Sequence, residues 1–328
     1  MNAAMKQLSR GDDWICAIRE TGVWREHEPM ALHTTLAVGG PARWFFRPAD
    51  RESLIAAVKR CPVGVAILPL GRGSNMLVPD TGFDGLVLDL SELNVLQFDA
   101  CVVTVGAGVR MSRFARQCAD HGLTGCEFMA TVPGDVGGGV AMNAGCFAQQ
   151  VSDTLSHIEV LLRDGSITKI DALDLNMTYR HIDLPAQSLI LSATFSLQTD
   201  HPDQIRERMR SMRSRRSSTQ PLAQPNCGSV FKNPDGDYAA RLIEAAGLKE
   251  FRIGGARISD QHANFIVNEG EASSADIVAL IKRAQAEVKQ QTGIELEPEV
   301  RMVGEWADLW SEGLSEDQSE ALAGDEYE

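Results

Sequence analysis

The stretch that most restricts this chain is residues 129–145, Met-Ala-Thr-Val-Pro-Gly-Asp-Val-Gly-Gly-Gly-Val-Ala-Met-Asn-Ala-Gly. Five glycines and one proline break up an apolar run whose flanks call for burial. Glycine serves where φ is positive or where another group must come close to the main chain. The segment is therefore either a tight turn between two core strands or a bare backbone whose N–H groups face an anion. A second glycine loop, Gly71-Arg72-Gly73-Ser74-Asn75, tips the balance toward the anion. It follows the apolar run Val65-Ala66-Ile67-Leu68-Pro69-Leu70, at the end of a strand–helix–strand unit where phosphates commonly sit. No Gly-Lys-Ser/Thr follows, and no Gly-x-Gly-x-x-Gly opens a long helix, so the Walker A and dinucleotide fingerprints are both absent.

The remaining patterns alternate between strand and helix. Gly39-Gly40-Pro41 predicts a turn into a strand through Phe46, and Asp50 predicts an N-cap for a helix through Leu54, Ala57 and Val58. Strands are expected at 86–90, 101–105, 158–162, 167–170 and 188–197, with a hairpin at Asp164-Gly165. A helix over 112–121 stops at Gly122. Residues 203–216 form a helix with six arginines, which either serve as a solvated face or lean at their C-terminal end toward a phosphate. Asp237 is placed to cap a helix ending at Gly247, and a turn and strand are expected over 253–268. A long helix after Ser273-Ser274, with Ile277, Leu280, Ile281, Ala284 and Val288 on one face, runs to Gly293. A last strand is expected over 296–303.

Composition removes several function classes. A chain of 328 residues with 44% hydrophobic and 23% charged content can bury the cores of two or three domains. It has no run of 18 apolar residues, so no membrane span is expected. The N-terminus lacks the apolar core of a signal peptide, and seven cysteines without a Cys-x-x-Cys pair argue for reduced thiols. A cytoplasmic protein without a metal site is the expectation. Nine acids and no Lys or Arg in residues 305–328 supply most of the net charge of −14, which marks an acidic and flexible tail. An acidic body argues against nucleic-acid binding.

Seven landmarks in order then resemble one family. They are His33-Thr34-Thr35 with Gly39-Gly40-Pro41, Gly71-x-Gly73-Ser74-Asn75, and Pro133-Gly134-x-Val136-Gly137-Gly138 with Met142-Asn143-Ala144-Gly145. Tyr179-Arg180, Gln220-Pro221 with Gly228-Ser229-Val230-Phe231-Lys232-Asn233-Pro234, His262-Ala263-Asn264-Phe265 and Leu296-Glu297-Pro298-Glu299-Val300 complete the set. Across roughly residues 30–304 this is similar to the MurB family of UDP-N-acetylenolpyruvoylglucosamine reductases. Arg180 and Ser229 are close in sequence, with no tyrosine between them, which resembles the shorter type II form.

The resemblance implies an α+β fold. Two subdomains of the PCMH/VAO type, residues 1–90 and 91–200, would hold FAD, and an α+β domain at 201–304 would bind substrate. It implies NADPH-dependent reduction of UDP-N-acetylglucosamine enolpyruvate to UDP-N-acetylmuramate, in peptidoglycan precursor synthesis, by a monomer or weak oligomer. Ser229, Arg180 and Glu299 would be catalytic. Gly71, Arg72, Gly73, Ser74, Asn75, Pro133, Gly134, Val136, Gly137, Gly138 and Asn143 would hold FAD. Asn75 stands where some relatives in the wider superfamily carry a flavin-linking histidine, so the FAD would be non-covalent. Tyr179, Arg216, Gln220, Lys232 and Asn233 would grip the substrate, with Gln261 or His262 on its sugar side. The alternatives are a non-catalytic flavin or UDP-sugar binding protein, and an FAD oxidoreductase with another substrate.

Three positions depart from the family pattern. Asp135 stands where Ser or Thr is usual, beside the expected pyrophosphate, and would repel it unless it turns away or takes hydrogen bonds from the loop. Thr131 replaces a common glycine, and the chain after Arg180 reads His181-Ile182-Asp183, without the serine often found two places on.

Overall fold

The first sheet follows from period-two alternation along its strands. Gly22–Pro29, Pro41–Pro48, Phe83–Asp89 and Ala66–Leu70 lie side by side in that order, the first pair antiparallel and the rest parallel. Trp44, Phe46, Leu86 and Leu88 enter one core, while Phe45, Val87, Leu68 and Leu70 enter another on the opposite face. Coverage of both faces is what parallel strands require. The helix Arg51–Arg60 begins as expected at Asp50, whose carboxylate accepts the Ser53 N–H at 2.8 Å. The strand Gly22–Pro29 was not foreseen. Its Trp-Arg-Glu-His-Glu run is polar because it forms the exposed edge of the sheet, where charge is common.

The structure, a computed structural model, describes residues 13–306. The predicted acidic tail lies outside the described residues from position 307 onward.

A second sheet is antiparallel throughout, with Ile167–Asp171, Leu155–Leu161, Leu189–Ser196, Val102–Gly106 and Leu96–Asp99 in that spatial order. Its hairpin turns at Asp164-Gly165, where Gly165 has φ +84°. The helices Met111–Asp120 and Val136–Ala141 pack on it, and one continuous core joins this sheet to a face of the first. The segment at 129–145 is therefore not a turn between two strands. It holds a short 3-10 turn, Glu127–Ala130, and then the helix Val136–Ala141.

The C-terminal part has its own core around a three-stranded sheet, Arg252–Ile253, Ala256–Ile258 and Ile266–Asn268. Its long helix, Ser274–Thr292, carries a reciprocal cap between Ser273 and Asp276 and ends at Gly293 with φ +75°. Two expectations need correction. Asp237 does not cap the helix Ala239–Ala245. It accepts the Tyr238 N–H and pairs with Arg241, which pulls its carboxyl down to about 2, while Asn233 takes the Ala239 N–H at 3.1 Å. The run 296–303 is strand only at Arg301–Met302, which pairs in parallel with Met76–Leu77. That small pairing, with the Arg301 N–H on the Asn75 carbonyl at 3.1 Å, brings the C-terminal chain against the first glycine loop. Asp80 adds a second tie, exchanging hydrogen bonds with Ser274 at the start of the long helix.

Candidate active site

The two glycine loops face each other. Ser74 Oγ donates to the Pro133 carbonyl at 3.2 Å, and a Cβ on Gly134 (φ +115°) would stand 2.8 Å from that same Oγ. Gly73 has φ +57° and lies so close to His33 that a Cβ would be 2.2 Å from its carbonyl oxygen. The His33–Thr35 turn thus braces the first loop from behind, with the Thr35 N–H on the Gly73 carbonyl at 3.2 Å. In the second loop, the N–H groups of Val136 and Gly137 go to the carbonyls of Val109 and Ala107, both at 2.9 Å. Those two residues contribute a packed wall, not free donors. Gly138 differs, because a Cβ there would meet nothing within 4 Å. The result is a bare main-chain cleft shaped for a group that approaches closely, and it fits a pyrophosphate. Arg72 lies on the exposed rim.

Asp135 sits in the wall between the loops. It is 5% exposed, and a Cβ on Gly71 would stand 3.0 Å from its Oδ2. It occupies the N-cap position of the helix Val136–Ala141 yet makes no cap hydrogen bond. Burial pushes its carboxyl up to about 6, opposed by Arg72 and Arg110 and reinforced by Asp89.

At the cleft's far end the polar residues converge. Arg180 Nε donates to Glu299 Oε1 at 2.9 Å, and its other nitrogens reach the Gly145 carbonyl at 2.7 Å and the Asn143 carbonyl at 3.4 Å. Arg180 has φ +57°, a costly backbone for a long side chain that the surrounding contacts must hold. Its guanidinium lies over the Tyr179 ring, 4.8 Å from the centroid. Burial raises the Glu299 carboxyl above its ordinary value, although Arg180 and Lys232 pull the other way. Glu299 donates its N–H to the Val230 carbonyl at 2.7 Å, which sets Ser229 one residue from this pair. Ser229 follows Gly228 (φ +80°) in a turn stabilised by the Asn226 side chain, which accepts the Gly228 N–H at 2.9 Å. Asn75 closes the arrangement, donating from Nδ2 to the Glu299 carbonyl at 2.9 Å.

The expected substrate residues fall into two groups. Lys232 pairs with Glu297, and the Asn233 N–H donates to Tyr179 Oη at 3.4 Å, so these three lie together beside Glu299. Arg216 and Gln220 form a second group, joined Nε to Oε1 at 2.6 Å, and with Arg215, Phe147, Thr219 and Cys146 they line a cavity of about 280 Å³. Arg216 also donates to the Thr131 carbonyl. His262 lies near Arg216, and burial together with Lys249 and Arg216 keeps its imidazole below the ordinary value. Gln261 is exposed, with Nε2 3.4 Å from the Ser217 carbonyl. The arginine-rich helix, Pro202–Thr219, divides its charges: Arg206, Arg208 and Arg210 pair with acids, while Arg215 and Arg216 face the cavity.

Asn143 is placed differently from the other cofactor candidates. Its side chain is fully buried, donating to the Thr178 carbonyl at 2.8 Å and accepting the Ser152 N–H at 3.0 Å. It holds the turn that carries Arg180. Asn264, which had no assigned role, clamps the serine-bearing segment by exchanging hydrogen bonds with Phe231 at 2.9 and 2.8 Å. Its place in the His-Ala-Asn-Phe landmark was the available signal. Thr131 is accommodated, with Oγ1 on the Phe128 carbonyl at 2.8 Å and 3.4 Å from Cys146 Sγ. Two residues after Arg180, Ile182 packs into the core. Among the described residues no group of three His, Cys, Asp or Glu could hold a metal ion, and no helix is long and apolar enough to cross a membrane.

Two glycine loops lie beside an Arg–Glu pair, and residues 42–171, which include both loops, match the model of an FAD binding domain, so the chain falls in the class of FAD-binding proteins. Residues 220–303 match the C-terminal domain of UDP-N-acetylenolpyruvoylglucosamine reductase. The UDP-N-acetylenolpyruvoylglucosamine reductase of Alkalilimnicola ehrlichii is 41% identical over 287 residues, covering 87% of this chain and 96% of that protein. That of Geobacter metallireducens is 43% identical over 280 residues, covering 85% and 93%. The crystal structure of UDP-N-acetylenolpyruvylglucosamine reductase (MurB) from Thermus caldophilus superposes with a TM-score of 0.74 at 33% identity, covering 85% of this chain and 99% of that one. The chain belongs to the MurB family of UDP-N-acetylenolpyruvoylglucosamine reductases, and it has that family's α+β fold of an FAD binding domain joined to a MurB C-terminal domain.

Proposed function

We propose that the protein reduces UDP-N-acetylglucosamine enolpyruvate to UDP-N-acetylmuramate, in peptidoglycan precursor synthesis, with NADPH as electron donor and FAD bound non-covalently. Residues 1–90 and 91–200 hold the flavin and residues 201–304 hold the sugar nucleotide. The observation that carries the reading is the Arg180–Glu299 pair, one residue from Ser229 and tied to the glycine cleft through Asn75.

Gly71 to Asn75 and Pro133 to Gly138 hold FAD by close main-chain approach. FAD held there would supply the hydride, taken from NADPH, that adds to one carbon of the enolpyruvyl double bond. Negative charge then builds on the substrate carboxylate, in an enolate-like form. Arg180 meets that charge with a fixed guanidinium, and Glu299 stands beside it, accepting from Arg180 Nε at 2.9 Å. The Asn143 and Gly145 carbonyls hold the guanidinium in place before substrate arrives, so little reorganisation is needed. Ser229 gives its hydroxyl proton to the other carbon, a step made favourable by the basicity of an enolate carbon, and regains a proton from water. Lys232, Asn233 and Tyr179 on one side, and Arg216 and Gln220 on the other, grip the nucleotide. Gln261 and His262 stand toward the sugar.

Replacing Ser229 by Ala tests the proton step. Turnover should fall on the order of 100- to 10,000-fold, the range for loss of a positioned proton donor, while flavin reduction by NADPH persists. Normal turnover in that variant would overturn the assignment.

A further inference from the structure

The cleft offered to the flavin pyrophosphate contains one group that a phosphate should reject. Asp135 is 95% removed from solvent, judged from its 5% exposure, and its Oδ1 has no hydrogen-bond partner among the described residues. A buried oxygen left unpaired is costly and calls for an explanation. The ordinary explanation, a helix cap, fails here. The N–H groups of Val136 and Gly137 are committed to Val109 and Ala107, and no other N–H of the helix is capped by the carboxylate. Nor is Asp135 in a salt bridge. The guanidinium groups facing it, Arg72 from the first loop and Arg110 from the strand-like segment that bridges it, act only at a distance. The remaining charged neighbour, Asp89, is itself a buried carboxylate, held by Arg47 at 2.7 Å and by the Ser91 N–H at 2.9 Å. A second negative charge beside Asp89 is disfavoured, so Asp135 can neither ionise comfortably nor find a donor inside the protein.

A protonated carboxyl resolves both difficulties, because it becomes a hydrogen-bond donor. We propose that Asp135 takes up a proton when FAD binds and, as a neutral acid, donates a hydrogen bond to an oxygen of the FAD pyrophosphate. That hydrogen bond is available only while the carboxyl holds the proton. The inference rests on the flavin reading of the cleft and makes flavin affinity depend on pH.

In the free protein the carboxyl titrates near 6, and a neighbouring pyrophosphate, whose own charge is constant across neutral pH, raises it further. Between those two values the bound form carries more protons than the free form. Affinity is therefore highest at low pH and weakens by about tenfold for each unit above 6 until the bound-state value is passed.

The test is FAD binding to flavin-stripped protein, followed by quenching of flavin fluorescence between pH 5.5 and 8.5. Calorimetry at pH 7 in phosphate and in Tris, whose ionisation enthalpies differ, counts the protons exchanged. The expected result is a Kd that rises about 10- to 100-fold across the range, with close to one proton taken up at pH 7. Asp135→Ser and Asp135→Asn should bind FAD with a flat pH profile and no uptake. A flat profile without proton uptake in the unaltered protein, or an Asp135→Asn variant that keeps the wild-type slope, would overturn the inference while leaving the flavin reading intact. Failure to bind FAD at any pH would overturn both.

Discussion

The glycine cleft and the Arg180–Glu299 site lie against each other, yet they are built by opposite means. The cleft is made by removing side chains, and its precision comes from backbone held on backbone, as where Gly73 lies against His33 and Gly137 against Ala107. The polar site is made by adding side chains and pairing them, so that Arg180, Glu299, Asn143, Asn75 and Asn264 all have partners. A site for a permanently held group needs shape. A site that stabilises charge during a reaction needs dipoles fixed before the charge appears. Asp135 is where the two schemes collide: an ionisable side chain in a region otherwise built from main chain.

Substitutions can break this contrast, and the largest effect is expected in the polar site. Asn143→Ala removes an amide bonded to Thr178 and Ser152, leaving buried groups unpaired, and should cost about 2–4 kcal/mol of stability. Because that amide holds the turn bearing Arg180, turnover should fall while the flavin stays bound. Denaturant melts together with flavin content would check both. Loss of flavin without loss of turnover per bound flavin would place Asn143 in the cleft instead.

A smaller effect, of up to about 3 kcal/mol, is expected at Asp135 in the flavin-free protein. Its carboxyl is raised in the folded state from 3.8 to about 6, so folding binds a proton between those values. The stabilising contribution is complete below about 3.8 and is lost as pH rises through about 6. Stability measured against Asp135→Asn should thus decline from pH 4 to pH 6.5 and level off above. A difference that grows with pH would show a carboxylate held ionised by its neighbours.

In the cleft itself, Gly73→Ala forces φ +57° on a residue with a Cβ 2.2 Å from the His33 oxygen. It should cost roughly 2 kcal/mol and release flavin, with little effect on the Arg180–Glu299 pair. Spectrophotometric flavin occupancy would check it, and full occupancy would mean that the loop is not part of the cradle.

The same contrast explains what could be read from the sequence. The cleft was legible because positive φ and close approach demand glycine, and the clusters at 71–75 and 133–139 record that demand directly. Caps such as Asp50 and Ser273 were legible because their bonds are local. The polar site was not readable in that way. Arg180 and Glu299 are 119 positions apart, and only the family landmarks suggested that they belong together. The strand Gly22–Pro29 escaped notice because its edge position permits a polar sequence. Asp237 looked like a cap, but Asn233, farther back in the chain, took the helix N–H. Nothing local could have placed Asp135 beside Asp89 and Gly71, a juxtaposition that exists only once both sheets share a core.

The most direct measurement is the anaerobic absorbance spectrum of the purified protein, before and after NADPH and then after the enolpyruvyl UDP-sugar. An oxidised flavin spectrum should bleach with NADPH and return when the UDP-sugar is added. A protein that cannot be reconstituted with FAD, or a bleached flavin that the UDP-sugar does not reoxidise, would contradict the proposed reaction.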